Sequence, residues 1–149
     1  MKASFKKYTL QFKQASGTSR GVYTTRDSWF IFLNDGIKTG IGECAPLPDL
    51  SIESPRKMSV KLLQVCEEIS YFSQFPEELR AWPSIRFGLE TALADLRNGG
   101  QQILFPSDFT RGEKGIPING LIWMGTPEFM KQQIRTKLDI GFRCIKMKI

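Results

Sequence analysis

The thirty-four residues after Gly115 constrain this chain more than any others. The stretch "IPINGLIWMG" (116–125) is a nearly continuous apolar run, the pattern of a strand buried on both faces. Thr126, Pro127 and Glu128 then open a helix that runs to about Ile140, Gly141 ends it, and "CIKMKI" (144–149) is the next strand. Strand, helix, strand at this spacing is a β-α-β unit, in which a right-handed crossover joins two parallel strands. Such a unit cannot bury both faces of its strands alone, so the fold it belongs to needs further layers.

The last strand carries the second constraint. Ile145, Met147 and Ile149 alternate with Lys146 and Lys148. Alternate side chains of a strand face opposite ways, so the two ammonium groups share one face. One reading is an edge strand guarded against aggregation by its lysines. The other is a pair of cations held inside a site.

Upstream, the first third reads as strands. "ASFKKYTLQFK" alternates, with Tyr8, Leu10 and Phe12 on one face, and "SWFIFLNDGIKTGIGECA" is a hairpin turning at Asp35-Gly36. Two loops flank these strands. The polar stretch 14–27, with Gly17 and Gly21, reads as a mobile connection. The stretch 45–54 is stiffened by Pro46 and Pro48 and exposes Leu47 and Leu50. Both read first as ordinary connections, and the fourteen residues of 14–27 without evident structure tilt slightly towards a lid or binding loop.

Helices follow. Ser54 is placed to cap one with Pro55 at its first position, and Val60, Leu63, Cys66 or Glu67, and Phe72 supply a stripe as far as about Phe75. A second begins near Ser84, repeats Ile85, Leu89, Ala92, Leu93 and Leu96, and stops at Asn98-Gly99-Gly100. Arg86, Glu90 and Asp95 read as its solvated or salt-bridged face. The expected organisation is an α+β domain over 1–105 (antiparallel meander plus helices), a linker over 106–115, and a β-α-β unit over 116–149.

Composition narrows the chemistry. With 149 residues, 41% hydrophobic and 24% charged, the chain is globular in type, and no apolar run approaches the roughly 18 residues that span a bilayer. "MKASFKKYTLQFKQ" lacks the apolar core of a signal peptide, so a cytoplasmic, membrane-free protein is expected. Three cysteines far apart argue against a disulfide framework or a zinc site. The absence of histidine removes His-based metal sites and Ser-His-Asp triads, leaving Lys, Asp, Glu, Tyr or Cys for proton transfer. A net charge of +6 raises nucleic-acid binding. The cations are dispersed, however, and no arginine-rich run or aromatic RNA-binding signature accompanies them. No nucleic-acid partner is expected. The basic excess fits an anionic small-molecule substrate, or a chain whose acidic part lies elsewhere.

The order of parts resembles the enolase superfamily, whose members carry an N-terminal α+β capping domain on a (β/α)-barrel. "GIGECAPLP" looks like the third strand and following loop of its muconate-lactonizing branch. "SIRFGLETALADLRNGG" and "GIPINGLIWMG" resemble the last capping helix and first barrel strand of o-succinylbenzoate synthases. "IKMKI" falls where that branch places its K-x-K motif, at the end of the second barrel strand. The resemblance covers essentially the whole chain.

It implies a magnesium-dependent lyase that dehydrates a succinyl-bearing hydroxycyclohexadiene carboxylate to o-succinylbenzoate, in menaquinone biosynthesis. Lys148 would be the base and Lys146 its charged neighbour. Residues around Arg20 and around Leu47 and Leu50 would form the two capping loops, with Arg20 for a carboxylate and the leucines for an apolar wall. A Lys or His base working with magnesium is a general property of this superfamily, not a reading of these residues. The lysine spacing suits it. Residues i and i+2 of a strand lie about 7 Å apart. Unit charges at that distance repel by roughly 2 kcal/mol at an effective dielectric near 20. That lowers a lysine pKa by about one to two units, towards the range useful for a base.

A complete barrel typically needs about 200 residues or more. The superfamily's magnesium ligands lie on the third to fifth barrel strands, so no metal-ligating residue is expected in this chain, nor dehydratase activity from it alone. Two alternatives stay open. A sister N-succinylamino acid racemase or dipeptide epimerase shares the K-x-K lysine. Otherwise the chain is a non-catalytic interaction module, its β-α-β surface covered by a missing barrel portion or a second copy.

Overall fold

The computed structural model describes residues 1–18 and 21–147. They divide between two compact units, Met1–Ser16 with Tyr23–Pro106 and Gly17–Val22 with Ser107–Ile149.

β1 (Lys2–Thr18), β2 (Gly21–Asn34) and β3 (Thr39–Cys44) form a three-stranded sheet in that order, which apart from the Gly17–Val22 ends of β1 and β2 belongs to the first unit. The β2–β3 turn is where Asp35-Gly36 predicts it. Asp35 Oδ1 accepts the N–H groups of Ile37 and Lys38, both at 2.8 Å, and these bonds hold its carboxyl below the usual range. Gly36 takes φ 101°, a conformation that glycine adopts without a Cβ clash.

The antiparallel register sets Trp29 against Cys44, Ile31 against Gly42 and Leu33 against Gly40. The side-chain period of two puts all six on one face, and Trp29, Ile31, Leu33 and Cys44 are buried. On this face lie α1 (Met58–Glu67), α2 (Ile69–Gln74) and α3 (Pro83–Arg97), contributing Met58, Leu62, Val65, Ile69, Phe72, Ile85, Leu89 and Ala92 to one core. The indole N–H of Trp29 is satisfied by Ser59 Oγ at 3.0 Å.

Several details differ from expectation. Most of the 14–27 stretch is strand: β1 runs to Thr18 and β2 starts at Gly21, so Gly17 and Gly21 lie within strands. Ser19 and Arg20 lie outside the described residues. Tyr8 and Leu10 share a face as read, but it is the exposed one; Ala3 and Phe5 pack against the core instead. The core-side place further along β1 goes to Lys7, whose ammonium lies 5.3 Å from the Trp29 ring centroid and 2.7 Å from Asp27. Hydrogen bonds from Lys7 and then Thr9 hold the Asp27 carboxyl below its usual range.

The helical stripe after Pro55 is also displaced. Pro55–Lys57 is a single 3-10 turn, Ser54 makes no side-chain cap, and α1 begins at Met58. The buried set is therefore Met58, Leu62 and Val65, while Val60 and Leu63 are exposed. α1 and α2 meet at a break at Glu68, so the segment is not one helix.

α3 follows expectation, ending at Asn98 with Gly99 (φ 102°) and Gly100 (φ 70°) beyond it. Its N-terminus is capped from a distance, Glu53 Oε1 accepting Ser84 N–H at 2.6 Å. Arg86 and Glu90 pair at 2.9 Å on the outer face as read. Asp95 does not join them. It is fully buried, accepting Ile41 N–H at 2.9 Å and Gln102 N–H at 2.5 Å, and so ties β3, α3 and the chain beyond α3 together.

In the second unit, β4 (Gly120–Ile122), α4 (Pro127–Asp139) and β5 (Ile145–Met147) form the expected β-α-β unit, with β4 and β5 parallel. Thr126 Oγ1 caps α4 by accepting Phe129 N–H at 3.3 Å, and Gly141 (φ 92°) follows its end. β4 is shorter than the apolar run 116–125. Beyond Ile122 the Gln133 amide of α4 bonds both backbone groups of Trp123, accepting its N–H at 3.0 Å and donating to its carbonyl at 3.1 Å. The 107–113 stretch is pinned locally, Arg111 pairing with Asp108 and with Glu113 (3.0 Å).

Candidate active site

β5 is where the sequence places its lysines. In the parallel register Gly120 faces Ile145, Leu121 faces Lys146 and Ile122 faces Met147. Leu121 and Lys146 thus share one face, with Gly120 and Ile145 on the other. The Gly120 side is closed: a methyl there would stand 3.1 Å from the Phe142 ring and 3.2 Å from both Ile145 Cδ1 and Lys137 Cβ. The Lys137 ammonium covers the Phe142 ring at 5.0 Å. Lys146 stands on the open face, exposed. Lys148, the expected base, lies outside the described residues, as does Arg20.

In the first unit, 45–54 is a loop as read, leading from β3 towards α1. Pro46 is buried, Leu47 half-buried, and Leu50 exposed at 55%. The loop is folded on itself by Leu47 N–H to Ser51 Oγ (2.9 Å), Ser51 N–H to Leu47 O (3.0 Å) and Leu50 N–H to Leu47 O (3.3 Å). Two side chains of β2 reach it. The Tyr23 hydroxyl donates to Pro48 O at 3.0 Å, and Arg26 Nη2 donates to Ala45 O at 3.0 Å. Sequence reasoning missed both. The contacts join residues 25 and 19 positions apart, and no local pattern marks them.

Among the described residues no group of three His, Cys, Asp or Glu side chains is arranged to hold a metal ion. No helix among them is long and apolar enough to cross a membrane. The cysteines stand apart in chemistry. Cys44 is fully buried, and burial pushes its thiol up to about 12; burial also raises Cys66; Cys144 is exposed. Because the thiolate is the nucleophile, a maleimide or disulfide reagent at pH 8 is expected to label Cys144 first, Cys66 more slowly and Cys44 only on unfolding. Peptide mapping by mass spectrometry reads the order, and early labelling of Cys44 would contradict the packing described above.

An antiparallel sheet backed by three helices, followed by a parallel β-α-β unit, is the capping domain and barrel entry of the enolase superfamily. Residues 1–96 match the family model "MenC, N-terminal domain", and the chain belongs to that family. All of the chain aligns with o-succinylbenzoate synthase from Desulfotalea psychrophila at 39% identity, over 49% of that protein. The crystal structure of MenC from the same organism superimposes with TM-score 0.80 and 32% identity, covering 99% of this chain and 48% of the other. An o-succinylbenzoate synthase from Thermosynechococcus elongatus, solved with magnesium in its active site, shares the fold with TM-score 0.69 at 21% identity, covering 99% of this chain and 42% of that one. The chain thus spans about half the length of the relatives it matches end to end.

Proposed function

We propose that the chain supplies the capping domain (1–105), linker (106–115) and first barrel strands (116–149) of an o-succinylbenzoate synthase. The observation that carries this reading is the 39% identity running through the whole chain. In the reaction, a proton beside a carboxylate is removed and hydroxide departs from the neighbouring carbon, leaving an aromatic ring and water. Lys148 takes the proton and returns it to the departing hydroxyl. Lys146 adds positive field for the carboxylate substrate and keeps its neighbour's pKa low enough to act as a base. Arg20 binds a substrate carboxylate, and Leu47 and Leu50 form an apolar wall.

Among the described residues no cluster of three His, Cys, Asp or Glu side chains is arranged for a magnesium ion. Its ligands would come from barrel strands beyond those described. The place of work is the cytoplasm, and the partners are an anionic small molecule and the rest of the barrel.

The test is a splice. This chain replaces the matching N-terminal part of the Desulfotalea psychrophila enzyme, and the product is assayed with magnesium for o-succinylbenzoate formation. Turnover within about tenfold of the parent is expected. A spliced protein that melts cooperatively like the parent yet forms no product would overturn the reading.

A further inference from the structure

We propose that Tyr23 is a positioning residue: its hydroxyl latches the 45–54 loop to β2 and so holds Leu47 and Leu50 where they set substrate affinity. The second half of this statement rests on the function proposed above.

The loop is a preformed turn, not a slack connection. Three bonds among Leu47, Leu50 and Ser51 close it, and Asp49 takes φ 60°, a left-handed conformation that holds only where its surroundings fix it. A body closed on itself moves as a unit, so where Leu50 stands depends on how the body is fastened. At its entry, Arg26 holds Ala45 O. At its exit, Glu53 is buried and holds Ser84 at the start of α3. Between them the exposed tip has Tyr23 on Pro48 O. The entry and exit bonds are part-buried and belong to the fold. The Tyr23 bond is solvent-facing, so removing it loosens the Pro48 carbonyl without disturbing the core.

β2 begins at Gly21, so Tyr23 stands on its third residue, next to the stretch that carries Arg20 in the chain.

Tyr23→Phe removes that hydroxyl and keeps the ring. In this chain, amide exchange followed by NMR is expected to show the Leu50 and Ser51 N–H groups exchanging about five times faster, the scale of one neutral hydrogen bond. The Leu62 and Leu89 amides, in the core helices, should not change. In the spliced enzyme, KM should rise about five-fold with kcat within two-fold, the signature of lost binding that is equal in ground and transition states. Unchanged exchange at Leu50 and Ser51 would overturn the latch. Faster exchange with unchanged KM would overturn its link to substrate. An unspliced parent that works beside a spliced protein that does not would count against the function, while the exchange measurement still decides the latch.

Discussion

Alanine at position 148, in the spliced enzyme, is expected to cut kcat by at least about 10³-fold while leaving KM within a few-fold. A positioned general base contributes typically 10²–10⁴-fold. Here the same group is proposed to serve twice, taking the proton from carbon and delivering it to the leaving hydroxyl, so the upper part of that range applies. Lys148→Arg should not restore activity. The guanidinium stays protonated at any working pH and cannot act as a base.

Lys146→Ala is expected to do something different. It removes the like charge two residues from the proposed base, and a like charge nearby disfavours the protonated form of a lysine. The base must be unprotonated to work. Losing the neighbouring charge is therefore expected to move the acid limb of the kcat/KM profile to higher pH, with activity recovered as the pH is raised. A Lys148→Ala enzyme with full activity would refute the assignment of the base. A Lys146→Ala enzyme with an unmoved pH profile would refute the charge coupling.

How much of this was legible in the sequence depended on whether its cause is local. The Asp35-Gly36 turn, the α3 stripe from Ile85 to Leu96 and the Thr126 cap of α4 are decided within a few residues, and the structure places them as read. The misreadings have non-local causes. Polar residues from Gln14 to Asp27 look like a loop, yet strand pairing carries β1 and β2 through most of that stretch. Asp95 looks like a partner for Arg86 or Glu90 by helical spacing. It turns inward because β3 and the chain after α3 each present an N–H to it. Val60 and Leu63 lost their places because the face packed into the core with the sheet and α3 carries Met58, Leu62, Val65, Ile69 and Phe72 instead.

Of the segment that carries the proposed lysines, what was legible is the strand itself, with Lys146 on β5 opposite Leu121. The Tyr23 and Arg26 anchors were not, since each is defined by a carbonyl nineteen or more residues away.

Gly42→Ala is expected to destabilise the first unit more than any other single methyl. "GIGEC" puts Gly40, Gly42 and Cys44 on the core face of β3, and α3 lies directly on that strand with Gly88 at the contact. A methyl on Gly42 would overlap Gly88 O, stand 2.7 Å from Gly88 C and come within 2.9 Å of Ala92 N. These are backbone atoms of a helix and cannot swing aside as a flexible side chain can. The whole helix must lift, drawing Ile85, Leu89 and Ala92 off Trp29, Ile31 and Leu33, and pulling Asp95 from Ile41 N–H.

Overpacking typically costs about 1–3 kcal/mol. With no side-chain relaxation available, at least about 3 kcal/mol is expected here, a large share of the roughly 5–15 kcal/mol that holds a domain folded. Thermal melts should show a fall of about 12 °C or more, at roughly 4–8 °C per kcal/mol for a unit of this size. Val60→Ala, at a position 73% exposed on α1, should melt within about a degree or two of the parent. Gly42 and Val60 variants of equal stability would mean that α3 does not rest on β3 backbone to backbone, and that the GIGEC glycines owe their place to something other than packing.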